Sequence, residues 1–330
     1  MLTSHVAAKL RDSQYRLVVT GAGGWLGMAT LDLLSSALGD AFADRVCCFG
    51  SGRRTLKLLD GVEIEQAPLD RLAALAPGPT LVLHLAFLTK DRAEAMPEAE
   101  YREANQAISR TVLDALDGIG AEGIFVSSSG AAAFADNPTA SPAMRLYGGL
   151  KKDDEELFAG WAEAAGKRAV ITRIFNLSGA YMNKHGSYAL ASFILDAISG
   201  RPVEVRAAKP VIRGYVAIRE LMSLVFALLL DGERGVVRFD TGGRAMEMQE
   251  IAEAVARVCG PVAVRRPPLE DLPTDRYAGS AGPYAALLRD RNVETVAFEQ
   301  QITETAQFLS KNEEFGWMQR KHHASAGAAS

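Results

Sequence analysis

Short continuous apolar runs alternate with longer segments whose apolar residues recur every three or four positions, and this rhythm organises the first half of the chain. Arg16-Leu17-Val18-Val19-Thr20 has the unbroken apolar character of a strand covered on both faces. Glycines follow at once. Trp25 to Leu38 then shows helical spacing, and Val46 to Phe49 reads as a second buried strand, so the opening is a strand-helix-strand unit. The alternation continues through a strand at Thr80 to His84, a helix from about Glu100 to Leu116, a strand at Gly123 to Ser127, a helix from about Leu146 to Ala165 and a strand at Arg168 to Phe175. Such a repeat predicts right-handed crossovers and a doubly wound, mostly parallel α/β sheet, with ligands bound beyond the carboxyl ends of its strands.

After Asn176 the rhythm breaks. A glycine-containing loop, a helix at about Ala189 to Ser199, a short strand Pro202 to Val205 and the segment Arg213-Gly214-Tyr215-Val216 predict a second, smaller α/β domain. The helix Glu220 to Leu230 and the strand Gly235 to Phe239 are apolar enough to return to the main sheet. The expected division is therefore 14–176 with about 213–240 as one domain, 177–212 with 241–318 as the other, and 319–330 as a disordered tail.

Composition narrows the class. The chain has 330 residues, 48% of them hydrophobic, enough for one large α/β unit or two smaller ones. Its formal charge of −4 is spread without a basic stripe, which argues against a nucleic-acid partner. Apolar runs stop short of membrane-spanning length and the N-terminus lacks signal architecture, so a cytoplasmic protein is expected. Three cysteines, Cys47, Cys48 and Cys259, are read as reduced, buried thiols. No metal site is expected; the paired His322 and His323 of the tail are a poor candidate.

Thr20-Gly21-Ala22-Gly23-Gly24-Trp25-Leu26-Gly27 lies between the first strand and the first long helix, the context in which glycines serve a dinucleotide. Gly21 permits the sharp turn, Gly24 lets backbone amides reach pyrophosphate oxygens, and Gly27 permits close helix-sheet packing. The helix N-terminus, with Trp25 and Leu26, faces the negative charge. At the end of the second strand an acidic residue would hold the ribose hydroxyl of NAD. None is present. Ser51, Arg53 and Arg54 stand there instead, and guanidinium forks match a 2′-phosphate, so NADP is favoured over NAD. The alternative is that both arginines are ordinary solvated charges.

The strand Gly123 to Val126 ends in Ser127-Ser128-Ser129, and the following helix carries Tyr147-Gly148-Gly149-Leu150-Lys151. Residues four apart on a helix share a face, about 6 Å apart along the axis, so Tyr147 and Lys151 can line one pocket. An ammonium beside a phenol favours the phenolate, and a serine hydroxyl can stabilise an oxygen that gains charge.

Taken in order, Thr20 to Gly27, Leu83-His84-Leu85-Ala86, Asn105, Ser129, Tyr147, Lys151 and Arg173-Ile174-Phe175-Asn176 resemble the extended short-chain dehydrogenases/reductases, which include sugar-nucleotide epimerases and reductases. The resemblance implies a Rossmann fold with Ser129, Tyr147 and Lys151 catalytic. It places Asp70 at the adenine, with Arg71 beside it, Leu85 and Ala86 along the cofactor channel, Lys151 on the nicotinamide ribose, and Asn105, Ser127 and Phe175 near the cofactor. His84 is expected as a satisfied strand-end histidine.

The same resemblance puts Asn176 and Arg213 on a substrate diphosphate. Departures are visible too: Ala207-Ala208-Lys209-Pro210 replaces the usual Gly-Asp-Gly turn, and Arg265 and Arg266 are expected at the surface rather than on a second phosphate. Gly130-Ala131 replaces the acidic pair of the family's dehydratases, and neither residue can exchange a proton. The expectation is an NADP-dependent reductase or epimerase of a nucleotide-linked sugar. Alternatives are a reductase of a small carbonyl or alcohol, and a non-catalytic NADP-binding regulator. The apolar stripes Ala104, Ile108, Val112, Leu116 and Leu150, Leu157, Phe158, Trp161 suit either packing on the sheet or, as the resemblance implies, a homodimer.

Overall fold

The computed structural model describes residues 1–311. The proposed tail and its paired histidines lie outside them. The described residues divide into two compact units, 1–176 with 218–243 and 278–295, and 177–217 with 244–277 and 296–311.

The first unit is built on an eight-stranded sheet. Its first seven strands are β1 (Arg16–Thr20), β2 (Val46–Gly50), β3 (Arg54–Lys57), β4 (Glu63–Pro68), β5 (Thr80–His84), β6 (Ala121–Ser129) and β7 (Arg168–Ile174), and Gly235–Asp240 completes it. Across the sheet the order is Gly235–Asp240, β7, β6, β5, β1, β2, β4, β3. Every pairing is parallel except β3 with β4. The order reverses at β1, so the first crossover runs to one side and later ones to the other. This leaves a crevice beyond Thr20 and His84, the usual ligand position in such sheets.

The core follows the apolar runs. Val18, Val82, Ile124 and Ile171 from four adjacent strands pack with Val112 and Leu116 of the Glu98–Leu116 helix and Phe158 of the Pro142–Ala165 helix. Both stripes noted in the sequence thus send residues into the core. Leu150 is buried as well, and Trp161 donates its indole N–H to Asp117 at 3.0 Å. Of the three cysteines only Cys48 is buried; Cys47 and Cys259 are half-exposed, a correction to the expectation of three buried thiols, and all three are free.

The second unit centres on the strand Val211–Ala217, flanked by Ala245–Glu247 antiparallel and Asp275–Tyr277 parallel. These partners explain a departure from the expected division. Arg213 to Ala217 belongs with the second unit because its backbone hydrogen bonds are made there, and 278–295 rejoins the first. The helix Ala189–Ile198 packs on Met248–Cys259, which opens with a capping box formed by Glu247 and Glu250.

Candidate active site

The glycine turn is shaped by backbone contact. Gly21 has φ +67°, a conformation costly for any other residue, and a Cβ there would lie 2.7 Å from Ala86 N. The turn and the segment after β5 therefore touch main chain to main chain. Leu85 N donates to Thr20 O at 3.2 Å and Ala86 N to the Thr20 hydroxyl at 3.3 Å. A Cβ at Gly27 would come within 2.4 Å of Ala22 O, which holds the Trp25–Leu38 helix close to the sheet. Gly24, exposed, is the N-cap of that helix and provides no side-chain cap, and the first turn carries no acidic residue. An uncapped, acid-free helix start on a tight glycine turn fits a dinucleotide's pyrophosphate.

Arg54 reaches this turn from the neighbouring hairpin. A Cβ at Gly23 would sit 1.5 Å from Arg54 Nη2, so position 23 is bare where the guanidinium lies. Gln66 buttresses it: its Oε1 accepts from Gly23 N at 3.2 Å and from Arg54 Nη2 at 3.5 Å, and its Nε2 donates to Gly52 O at 2.7 Å. Ser51 and Arg53 are exposed in the preceding bend. Asp70 and Arg71, also exposed, lie in the turn after β4, whose Pro68 pairs with Gly50.

The serine-ended strand and the Tyr147 helix are brought together by another close approach. Ser129 closes β6, and its Oγ accepts from Ala131 N at 3.2 Å, capping the 3-10 turn Gly130–Phe134. A Cβ at Gly148 would be 2.2 Å from Ala131 O, so the helix turn that carries Tyr147 rests on the turn that Ser129 caps. Lys151 Nζ donates to Ser127 O at 2.7 Å and lies 3.7 Å from the centroid of the Phe87 ring. Tyr147 packs edge-on against the same ring at 5.8 Å. Burial brings the Lys151 ammonium down to about 8, with Asp154 and Glu155 opposing the fall.

The remaining expected residues support this arrangement. Ser127 Oγ donates to His84 O at 3.1 Å. Asn105 is buried, accepts from Leu88 N at 2.8 Å and donates to Tyr101 O at 3.0 Å, so it ties the segment after β5 to the Glu98–Leu116 helix. The Phe175 ring covers Gly130, within 2.5 Å of where a Cβ would stand. His84 departs from expectation: Nδ1 bonds the Thr20 hydroxyl at 3.0 Å, but Nε2 is buried without a hydrogen-bond partner.

Sequence reasoning missed the charges beneath. Glu155, 2% exposed, accepts from Arg173 Nε and Nη2 at 2.7 to 3.2 Å and from the Ser128 hydroxyl. Asp154 is buried beside it. The available signal was helical phase, because 151, 154, 155 and 158 share the face that also carries the core residue Phe158.

Asn176 is the last residue of the first unit and half-buried. In the second unit Arg213 Nη1 donates to Asp275 Oδ1 at 3.1 Å and to the carbonyls of Ile212 and Asp275, with Lys209 Nζ 3.7 Å from Asp275 Oδ2. Arg266 is not at the surface, which corrects the expectation. Its fork grips both oxygens of Glu247 at 2.8 and 2.9 Å, and its other N–H groups reach Ala207 O and Lys209 O. Burial alone would raise Glu247, but Arg266 and the backbone amides of Gln249 and Val211 outweigh it and bring the carboxyl to about 2. Arg265 is exposed and pairs with Glu204 at 3.4 Å.

A family model described as the NAD dependent epimerase/dehydratase family matches residues 17–240. No curated protein matches the sequence. Solved structures with the same fold include a UDP-N-acetylglucosamine 4-epimerase from Methanobrevibacter ruminantium in complex with UDP-N-acetylmuramic acid, with TM-score 0.68 and 18% identity over 90% of this chain and 99% of that one. A dTDP-glucose 4,6-dehydratase from Streptomyces venezuelae with NAD bound gives 0.68 and 19% over 91% and 98%. A UDP-glucose 4-epimerase from Thermus thermophilus in complex with NAD gives 0.64 and 20% over 89% and 98%. Among the described residues no helix is long and apolar enough to cross a membrane.

Proposed function

Because the chain belongs to the NAD dependent epimerase/dehydratase family, a family of enzymes that use a nicotinamide dinucleotide, we propose that it is an NADP-dependent reductase or epimerase of a nucleotide-linked sugar, with Ser129, Tyr147 and Lys151 as its catalytic residues. The observation that carries this reading is the contact of Gly148 with Ala131, which sets Tyr147 and Ser129 on touching turns while Lys151, one helical turn on from Tyr147, is anchored on Ser127.

A bound nicotinamide ring supplies the hydride acceptor or donor. Tyr147 moves the accompanying proton, taking it from a substrate hydroxyl in oxidation and returning it to the carbonyl oxygen in reduction. The Lys151 ammonium favours the phenolate of Tyr147, and the Ser129 hydroxyl stabilises the oxygen that gains charge. Water loss from a sugar needs a further acid and base, and Gly130 and Ala131 supply neither. Arg54 over Gly23 supports NADP, since its fork suits a 2′-phosphate and no carboxylate accompanies it on the turn. A homodimer through the Glu98–Leu116 and Pro142–Ala165 helices completes the proposal, to be checked by light scattering.

One observation favours the second reading, a small carbonyl or alcohol without a diphosphate: Arg213 and Arg266 are both bound to carboxylates of their own unit. A thermal-shift panel separates the two. Stabilisation by UDP, GDP, CDP or dTDP in the presence of NADP supports the nucleotide-sugar reading; a response to apolar ketones alone assigns the second. Tyr147→Phe then tests the chemistry against the regulator alternative, with turnover lost and NADP affinity kept.

A further inference from the structure

Four ionisable side chains are buried in this part of the first unit, His84 at the end of β5 and Lys151, Asp154 and Glu155 on the helix that carries Tyr147, all 2 to 5% exposed. Buried charges persist only when balanced. Glu155 is balanced by Arg173. Asp154 has no such partner. Its Oδ1 accepts from the Ser109 hydroxyl at 2.6 Å, while Oδ2 has no hydrogen-bond partner and lies 4.0 Å from the equally unpartnered His84 Nε2. His84 cannot be the counter-ion. Burial, and then the charge of Lys151, push its imidazole down to about 3, so the ring is neutral at physiological pH.

The cation left for Asp154 is Lys151, one turn back on the same helix. We infer that Asp154 is a positioning residue, whose carboxylate, clamped by Ser109 and faced by a neutral His84, is the buried counter-charge that keeps the Lys151 ammonium charged next to Tyr147. The neighbouring elements leave that role to Asp154. β5 contributes only His84, and the Gly130–Phe134 turn carries no charge. β7 contributes Arg173, committed to Glu155. Of the Gly235–Asp240 strand, Arg238 pairs with Glu156 at the surface and Asp240 faces Arg173. The Lys90–Ala95 helix pairs Lys90 with Glu94 in the open. The Glu98–Leu116 helix supplies Ser109 rather than a charge.

This role supports the proposed chemistry, because an ammonium favours the phenolate and a neutral amine does not. Its test requires neither cofactor nor substrate, so it stands or falls apart from the reading of function. The Nζ resonance of Lys151, assigned by its loss in Lys151→Arg, is titrated by heteronuclear NMR in the native protein and in Asp154→Asn, which keeps the size and the acceptor for Ser109. The expected result is a midpoint near 8 in the native protein that falls by roughly one pH unit in the variant. Should Asp154→Asn fail to fold, Ser109→Ala decides: losing the hydroxyl makes Asp154 harder to ionise, and the Lys151 midpoint falls in the same direction. A purely structural Asp154 lowers the melting temperature and leaves the midpoint in place, and an unmoved midpoint overturns the inference.

Discussion

Gly148 meets the carbonyl of Ala131 so closely that a single methyl group at position 148 would lie 2.2 Å from that oxygen. Neither partner can yield cheaply, since the obstacle is backbone. Gly148→Ala is expected to lift the Tyr147 turn off the Ser129 cap, lowering kcat about 100-fold, as displacements of about 1 Å do in oriented sites. The adjacent Gly149 has open space around its Cα. Gly149→Ala should be stabilising by about 1 kcal/mol through helix propensity. Thermal melts and steady-state rates of the two variants make the comparison.

Arg54 and Gly23 occupy each other's space, and this predicts cofactor selectivity. Arg54→Ala removes a charged donor to the 2′-phosphate, worth about 1.5 to 3 kcal/mol, and should weaken NADPH binding about 10- to 100-fold with NADH binding little changed. Gly23→Ala places a methyl where the guanidinium lies, and the flexible arginine moves aside with little cost to the fold. Its loss of NADPH affinity should match that of Arg54→Ala, and the double variant should lose no more than either alone. Fluorescence titration with the two reduced cofactors measures all three.

Arg173 grips both carboxylate oxygens of the buried Glu155. Arg173→Ala leaves a buried carboxylate with only the Ser128 hydroxyl, and the loss of stability should be about 3 kcal/mol. Adding Glu155→Gln should restore part of it by removing the stranded charge. Urea denaturation of the single and double variants reads both values.

His84 makes acid destabilising. Its folded-state value of about 3 lies below the unfolded 6.5, so as pH falls through this window the unfolded chain takes up a proton that the native state refuses. Stability should drop by about 1.4 kcal/mol per pH unit from this group between about pH 6 and pH 3, and be fully present above pH 6.5. Asp154, raised by burial, acts with the opposite sign at the acid end. His84→Gln should flatten the slope by one proton, measured as urea unfolding free energy against pH.

Much of this architecture was readable because its physics is local. β1, the Trp25–Leu38 helix and β5 fall on the residues that the apolar pattern assigned, since a strand covered on both faces has to be apolar throughout. The β3–β4 hairpin was not readable. Arg54-Thr55-Leu56-Lys57 is polar at three of four positions, as suits the edge of a sheet, and the sequence showed Arg54 without showing the fold that carries it over Gly23. The buried Asp154 and Glu155 were hidden within Lys151-Lys152-Asp153-Asp154-Glu155-Glu156, where a run of six charges gives no sign of which ones the core takes. Arg213 was legible as a cation but not as one already held, because Asp275 is brought to it only by strand pairing.

The central claim is that a phenol, an ammonium and a hydroxyl surround the reactive edge of a nicotinamide ring. A crystal structure with NADP bound tests it most directly. The expected result is the nicotinamide C4 facing the Tyr147 and Ser129 hydroxyls, leaving room for a substrate carbon about 3.5 Å away, with the 2′-phosphate on Arg54. A ring that lies away from the Tyr147 and Ser129 hydroxyls, or a cofactor that leaves the Gly21 turn empty, contradicts the account.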